Sequence, residues 1–362
     1  MPQQLDNLIF DRTQSDVNRV QSLTQKMIAG TATEAEKAEW LGGMKGAYNA
    51  ADLNRVCAAV DYLTGVLTGL GYSVTTTLPE KKPVYTAKQI EYIESTGTQY
   101  IDTGFKPNQD TRVVCEFELL ESGRAYGVFG SRIGYGTTSY DLFAYGLNGE
   151  TAFQDDYNTT HNALANSQTN TLYTVDKNKN TTTLNGESHT FTAGTFQLNF
   201  PMYLFGVNTS GSPNNQLGSL RIYSCKIYDN GTLIRDFKPY YDSNGIACLF
   251  DAVSGTYYYN AGTGTFTASE EPTLEMAYWS ENDIPMQAQM ETYLENIQTL
   301  RDRLPYVAPD APETMQNLAF QGANDIEEIL YTLENVLLAM QENFLLRQAN
   351  TLFMIAGGVF NA

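Results

Sequence analysis

The chain changes its vocabulary twice, near residue 85 and near residue 271, and the residue types that change are those that separate strand from helix. Between residues 85 and 270 stand 17 of the 24 tyrosines but only Met202 of the ten methionines, set among Thr, Asn and Gly in short runs. Aromatic and β-branched residues broken by turn formers are strand chemistry. On either side Met, Gln, Leu, Ala and Glu recur three and four apart, the spacing of amphipathic helices. The sequence therefore predicts a multi-domain α plus β protein: a helical segment 1–84, a β segment 85–270 and a second helical segment 271–362. With 362 residues and 42% hydrophobic side chains, there is material for a core in each class of segment.

Charge and rare residues remove many functions. Lys plus Arg number 22 against 41 Asp plus Glu, a net charge of −19. Such a surface repels phosphate backbones and anionic lipid, so no nucleic-acid partner is expected. No apolar run reaches the roughly 18 residues of a membrane span, and Met1-Pro2-Gln3-Gln4-Leu5-Asp6 has neither a basic nor an apolar leader region. No membrane insertion and no signal peptide are expected. Cys57, Cys115, Cys225 and Cys248 show no CxxC spacing, and His161 and His189 are the only histidines. A disulfide framework, a zinc centre and a histidine-based triad all lack material.

Thr33 with Glu34, Ala35 and Glu36 starts a helix that runs through Trp40. Asp52 opens another, with Leu53, Val56, Val60, Leu63 and Leu67 on one stripe and Gly69 and Gly71 at its end. Asp283-Ile284-Pro285 precedes a third over Met286, Met290, Leu294, Ile297 and Leu300. Prolines between residues 304 and 312 mark a linker, after which Asp325 opens a long helix through Ile326, Ile329, Leu333, Val336, Leu337 and Met340. In the β segment, strands are read at 112–117, 126–129, 172–175, 181–184, 202–206, 220–228 and 233–237. Turn signals stand at Asn148-Gly149, Asn185-Gly186, Asp229-Asn230-Gly231 and Asn244-Gly245. Close turns imply antiparallel pairing, and the regular spacing implies a two-sheet β-sandwich or jelly roll.

Two stretches are more specific. Gln89-Ile90-Glu91-Tyr92-Ile93-Glu94-Ser95-Thr96-Gly97-Thr98-Gln99-Tyr100-Ile101-Asp102-Thr103-Gly104, and Leu220-Arg221-Ile222-Tyr223-Ser224-Cys225-Lys226-Ile227-Tyr228-Asp229 through Arg235-Asp236-Phe237-Lys238-Pro239, resemble the LamG-like, concanavalin A-like lectin/glucanase modules of bacterial and prophage proteins. Leu249-Phe250-Asp251, Tyr257-Tyr258-Tyr259-Asn260 and Gly262-Thr263-Gly264 resemble the last hairpin of that module. The flanks resemble a tail-associated structural protein family of phages and prophages of gut Firmicutes. The matching text is Asn7-Leu8-Ile9-Phe10-Asp11-Arg12-Thr13, Ala38-Glu39-Trp40-Leu41, Met44-Lys45-Gly46-Ala47-Tyr48-Asn49 and Asp52-Leu53-Asn54-Arg55-Val56, then Trp279, Asp283-Ile284-Pro285 and Ala323-Asn324-Asp325-Ile326-Glu327. In such proteins the stretch ending in Gly71-Tyr72 runs almost directly into the Trp279 stretch, whereas about 200 residues intervene here. The resemblance implies a helical carrier in two halves with the lectin-like module inserted between them, as exposed loops permit. It also implies a place in the virion tail, among other tail proteins, after assembly in the host bacterial cytoplasm.

Glycosidases of this lectin/glucanase fold carry a paired-carboxylate strand of the form Glu-x-Asp-x-x-Glu, because acid and nucleophile flank one bond about 5 Å apart. That string is missing; Glu116 and Glu118, two apart on a predicted strand, come nearest and read as solvated strand residues. The expectation is binding without catalysis. Sugar binding needs an aromatic face and a few hydrogen-bonding side chains. Tyr135, Tyr140, Asp141, Tyr145, Asn148, Asp155, Asp156 and Tyr157, with Asn158, supply that mixture as candidate ligand residues. The competing reading gives Tyr140 and Tyr145 to sheet packing and the Asp and Asn residues to turns. Asp155 and Asp156 are calcium candidates together with loop carbonyls, and no other cofactor is expected. Towards the C-terminus Phe344, Leu345, Leu352, Phe353, Ile355 and Phe360 form an apolar stretch too short to span a bilayer. It is expected to bury against another subunit of a homo-oligomer or against the virion, or to fold back on its own helices. The combined expectation is a tail or tail-fibre component that binds host-surface carbohydrate by multivalent display. The alternatives are a purely structural tail, baseplate or decoration protein without a glycan ligand, and a polysaccharide-degrading enzyme.

Overall fold

The helical spacing resolves into five helices in the structure, a computed structural model that describes residues 4–145, 151–213, 216–304 and 306–355, of which Glu34, Leu41 and residues 344–355 by backbone alone. They are α1 (Gln14–Ile28), α2 (Glu34–Leu41), α3 (Ala50–Gly69), α4 (Gln287–Arg301) and α5 (Phe320–Ile355). Each of the first three starts at a reciprocal cap in which a short polar side chain accepts a backbone N–H and an acid three residues on returns the favour. Thr13 and Asp16 cap α1, Thr33 and Glu36 cap α2, and Asn49 and Asp52 cap α3. Asp52 is thus the third helical residue and not the cap. Similarly, α4 begins beyond Asp283, whose carboxylate instead accepts the Ser280 N–H and pairs with Lys82. α5 starts at Phe320, ahead of Asp325. An acid works at either place because both lie beside the unpaired N–H groups of the first turn.

The chain divides into two units, Met1–Val84 with Met276–Ala362, and Tyr85–Glu275. In the first, the stripe Leu53, Val56, Val60, Leu63 and Leu67 of α3 meets Leu294, Ile297 and Leu300 of α4 and Ile326, Ile329, Leu330, Leu333 and Leu337 of α5. Trp279 and Tyr278 close the same core. The second unit is built of strands, and its C-terminal limit, Glu275 against the expected 270, falls within the strand Leu274–Ala277, which pairs with Lys82–Tyr85.

The β unit holds an eleven-stranded and a seven-stranded sheet among the described residues. The path through the larger runs Glu187–Thr190, Thr181–Leu184, Leu172–Asn178, Thr111–Leu119, Ser219–Asp229, Thr232–Tyr241, Ala247–Asp251, Thr256–Tyr258. In the smaller the order is Ile101–Asp102, Tyr203–Leu204, Tyr126–Arg132, Ser139–Ala144, Ala152–Asn158, Thr160–Asn166. Neighbours along both paths are antiparallel, while Asn208–Thr209 joins Tyr126–Arg132 in parallel. Asn185 and Gly186, at φ 47° and 90°, form the tight hairpin that their sequence predicts. Asn148-Gly149 lies outside the described residues. Inward residues such as Val113, Cys115, Phe117 and Leu119 alternate with outward ones and join Phe129, Leu142, Phe153, Val175 and Ile222 in a single core. The result is an α+β protein with a β-sandwich. Among the described residues no helix is long and apolar enough to cross a membrane. Phe344, Leu345, Leu352, Phe353 and Ile355 lie on the α5 backbone; their side chains, and Phe360 altogether, fall outside the described residues.

Candidate functional site

Successive side chains of a strand point to opposite faces, and this sorts the candidate residues. Ser139–Ala144 and Ala152–Asn158 send Tyr140, Leu142, Ala144, Phe153 and Tyr157 into the sandwich core. Asp141, Phe143, Gln154 and Asp156 therefore lie on the outer face of the seven-stranded sheet. The candidates do not converge on one surface.

Four of them are corrected by this sorting. Tyr140 is fully buried, its Oη within hydrogen-bond reach of the Thr111 and Lys177 carbonyls at 2.9 and 2.7 Å, and burial followed by the Asp155 charge pushes its phenol well above the usual range. Tyr157 donates to the Gly194 carbonyl at 3.2 Å and packs on Phe191 and Phe196. Tyr145 is 7% exposed and packs towards Tyr126. Asp155 is paired with Lys177 inside the core. None offers a ring face or an oxygen to a ligand from solution. Asp155 and Asp156 point to opposite faces and cannot share a calcium ion; among the described residues no group of three metal-ligating side chains occurs. Asn148 lies outside the described residues. Glu116 and Glu118 face away from the core, where Glu116 accepts from Ser224 Oγ, and Glu118 accepts from Arg221 and from Tyr223 Oη.

The strand register places another set together. Asp102 pairs with Tyr203, Tyr203 with Gly130, Gly130 with Asp141, Asp141 with Asp156 and Asp156 with His161. Paired residues point to the same side, so these six form one row across the outer face, about 24 Å long at ~4.8 Å per strand. Gly130 makes the row possible: its φ is +145°, and a Cβ there would stand 2.1 Å from the Asp141 Cβ.

The middle of the row is polar and buried. Asp141 is fully buried with both carboxyl oxygens free of hydrogen bonds. Burial, and after it the Asp156 charge, raises its pKa well above the carboxylate range, with Arg132 opposing. Asp156 accepts from Gln154 Nε2 at 2.9 and 3.1 Å, and burial raises its pKa as well. Arg132 donates through Nε to Thr209 Oγ1 at 3.0 Å and through Nη2 to Gln216 Oε1 at 2.7 Å, lies over the Phe143 ring at 4.6 Å, and keeps Nη1 buried without a partner.

Aromatic rings stand towards both ends of the row. Tyr203 is buried against Tyr100 with ring centroids 4.5 Å apart. At the other end the exposed His161 ring lies 5.3 Å from that of Tyr135, which is 48% exposed on the turn between Tyr126–Arg132 and Ser139–Ala144, and Tyr135 Oη lies 3.5 Å from His161 Nε2. Tyr135 is the candidate residue that presents a ring face to solvent. Arg132, Gly130, Tyr203 and His161 carry no motif; they are assembled by a register that runs through Ser139–Ala144, Ala152–Asn158 and Thr160–Asn166, which are missing from the strands read in the sequence.

No protein-family model matches this chain, and no curated protein sequence does. Similar solved structures include a candidate carbohydrate-binding protein of Bacteroides ovatus, 11% identical, covering 51% of this chain and 62% of that one at a TM-score of 0.35. Trypanosoma rangeli sialidase with the inhibitor DANA is 12% identical over 50% of this chain and 36% of its own, at 0.28; the same enzyme with sialic acid is 10% identical over 49% and 36%, at 0.26. The chain thus spans less than two thirds of each of these structures. Superpositions this loose assign no residue here a role.

Proposed function

We propose that the Tyr85–Glu275 unit binds host-surface carbohydrate at the exposed Tyr135–His161 end of its seven-stranded sheet, as the host-facing part of a phage or prophage tail component. The observation that carries this reading is the exposed Tyr135–His161 pair at the end of a polar row. Aromatic faces take the C–H side of a pyranose, while a sugar hydroxyl is at once donor and acceptor. The remaining residues 1–84 and 276–362 serve as the helical carrier, whose apolar C-terminal stretch meets other tail proteins or further copies of the chain. The LamG-like text from Gln89 to Gly104 and the tail-family text on both flanks support that placement. Each sugar contact is weak by itself, and display on an oligomer multiplies it. The device binds and does not catalyse.

A second reading, a decoration or assembly unit without a glycan ligand, is favoured by the closure of six of the eight candidate residues, Tyr140, Asp141, Tyr145, Asp155, Asp156 and Tyr157, away from solvent. Pull-down of host cells and purified cell-wall glycans with the full chain separates the two. Under the carbohydrate reading, binding is competed by free sugar, and Tyr135→Ala and His161→Ala each weaken it about tenfold or more. A chain that ignores all host material while still joining particles sinks the carbohydrate reading and leaves the structural one.

A further inference from the structure

Inside the β-sandwich lies a charged pair that neither sheet pairing nor the proposed sugar contacts require. Lys177 stands on Leu172–Asn178 of the larger sheet and Asp155 on Ala152–Asn158 of the smaller; their side chains meet with no exposure on either. The Tyr140 and Phe191 rings flank the Lys177 Nζ, at 4.7 and 5.6 Å to their centroids. Asp155 Oδ1 is the polar partner of that nitrogen, whereas Asp155 Oδ2 is buried with no hydrogen bond. Directly opposite Lys177 on the next strand, Thr182 holds a buried hydroxyl that also lacks a partner.

As an ion pair this arrangement is poorly provided. An ammonium has three donors and a carboxylate about four acceptor sites, yet a single contact joins them among aromatic rings. Buried charges are tolerable only when fully hydrogen-bonded as well as paired. A neutral amide would remove both charges at once. Amine and carboxyl groups held in contact with water excluded are also set up to react.

We propose that Lys177 and Asp155 condense into an intramolecular amide, Nζ to Cγ, which staples the two sheets together. The ammonium first passes a proton to the carboxylate, leaving an amine and a carboxylic acid. The Nζ lone pair then adds to Cγ and the carbonyl π electrons move to oxygen. The tetrahedral adduct transfers a proton from nitrogen to its hydroxyl oxygen, the C–O bond breaks with its electron pair, the carbonyl re-forms and one water leaves. Nothing is oxidised or reduced, and no co-reactant is needed. Oδ1, which takes the Lys177 proton at their contact, is the hydroxyl oxygen lost as water; Oδ2 becomes the amide carbonyl.

Intact mass spectrometry of the purified full chain under denaturing conditions tests this directly. The chain is expected one water lighter than its sequence mass, and a digest is expected to yield a branched peptide joining the segments around 155 and 177. Lys177→Met and Asp155→Ala restore the full sequence mass. Asp155→Asn loses ammonia in place of water and arrives at the same product mass as the unsubstituted chain. A folded chain at full sequence mass overturns the proposal, and so does a water deficit that persists in Lys177→Met.

Discussion

A fully buried carboxyl group beside a second buried acid is far cheaper to keep neutral than charged, and Asp141 is in that position. The two are coupled, so they titrate as a pair. Both are shifted upward, so the folded chain keeps a proton that the unfolded chain releases above the ordinary value of about 3.9. With more protons bound in the folded state, stability falls as pH climbs from about 4 through the pair's titration, and this penalty is absent below about 4. Asp141→Asn keeps the shape and cannot ionise. The difference in Tm between Asp141→Asn and the unsubstituted chain should therefore widen in favour of the variant as pH rises from about 4 to about 8; a difference constant across that range would show that another group carries the dependence. The same residue explains why the site was only partly legible. The stretch from Tyr140 to Tyr157 has the right chemistry for a sugar site, but strand alternation sends Tyr140, Asp155 and Tyr157 one way and Asp141 and Asp156 the other. A list of residue types carries no face until the strands themselves are recognised, and Ser139–Ala144, Ala152–Asn158 and Thr160–Asn166 were not.

At the scale of elements, α5 acts as a clamp for a segment with no regular structure. Residues 4–13 form neither helix nor strand, and α5 side chains take up their amides. Glu334 accepts the Gln4 and Leu5 N–H groups, Glu327 that of Ile9, and Asn324 that of Arg12 while returning a donor to the Arg12 carbonyl. Residues 324, 327 and 334 are three and seven apart and so share one helix face. Glu327, with no solvent exposure, also takes Arg12 and Arg55, and Arg12 reaches Asp52 on α3. Glu327→Ala would leave two guanidinium groups to share the single carboxylate of Asp52 and is expected to cost about 3–5 kcal/mol in urea unfolding. Asn324→Ala removes one donor and one acceptor of a neutral pair and is expected to cost about 1–3 kcal/mol, with faster hydrogen exchange at the Arg12 amide. Equal and small losses from both would mean that the segment is held by Leu5 and Leu8 packing alone. Helix periodicity made the stripes of α3, α4 and α5 readable. The clamp was not readable, because its partners are 312 to 330 residues apart in the chain and the segment itself has no period.

For the whole molecule, the change of residue usage near 85 and 271 and the structural division after Val84 and Glu275 reflect one cause: a sandwich and a helix bundle draw on different side chains. The core of the helical unit is made entirely from residues up to Val74 and Leu78 on one side and from Tyr278 onward on the other. Within the β unit, the ends of the chain are already together, since the Thr86 N–H donates to the Thr273 carbonyl at 3.3 Å. A folded insert that holds its own ends adjacent spares the helical unit the entropy of closing a long loop, a cost that would otherwise rise by about 0.6 kcal/mol for each doubling of loop length. Replacing residues 87–272 with an Asn-Gly turn should therefore leave the helical unit folded, with a cooperative thermal transition followed by circular dichroism and a stability within about 1 kcal/mol of its value in the full chain. A shortened chain that is helical but melts without cooperativity would show that the helical core depends on the sandwich, and the two units would then have to be treated as one folding body.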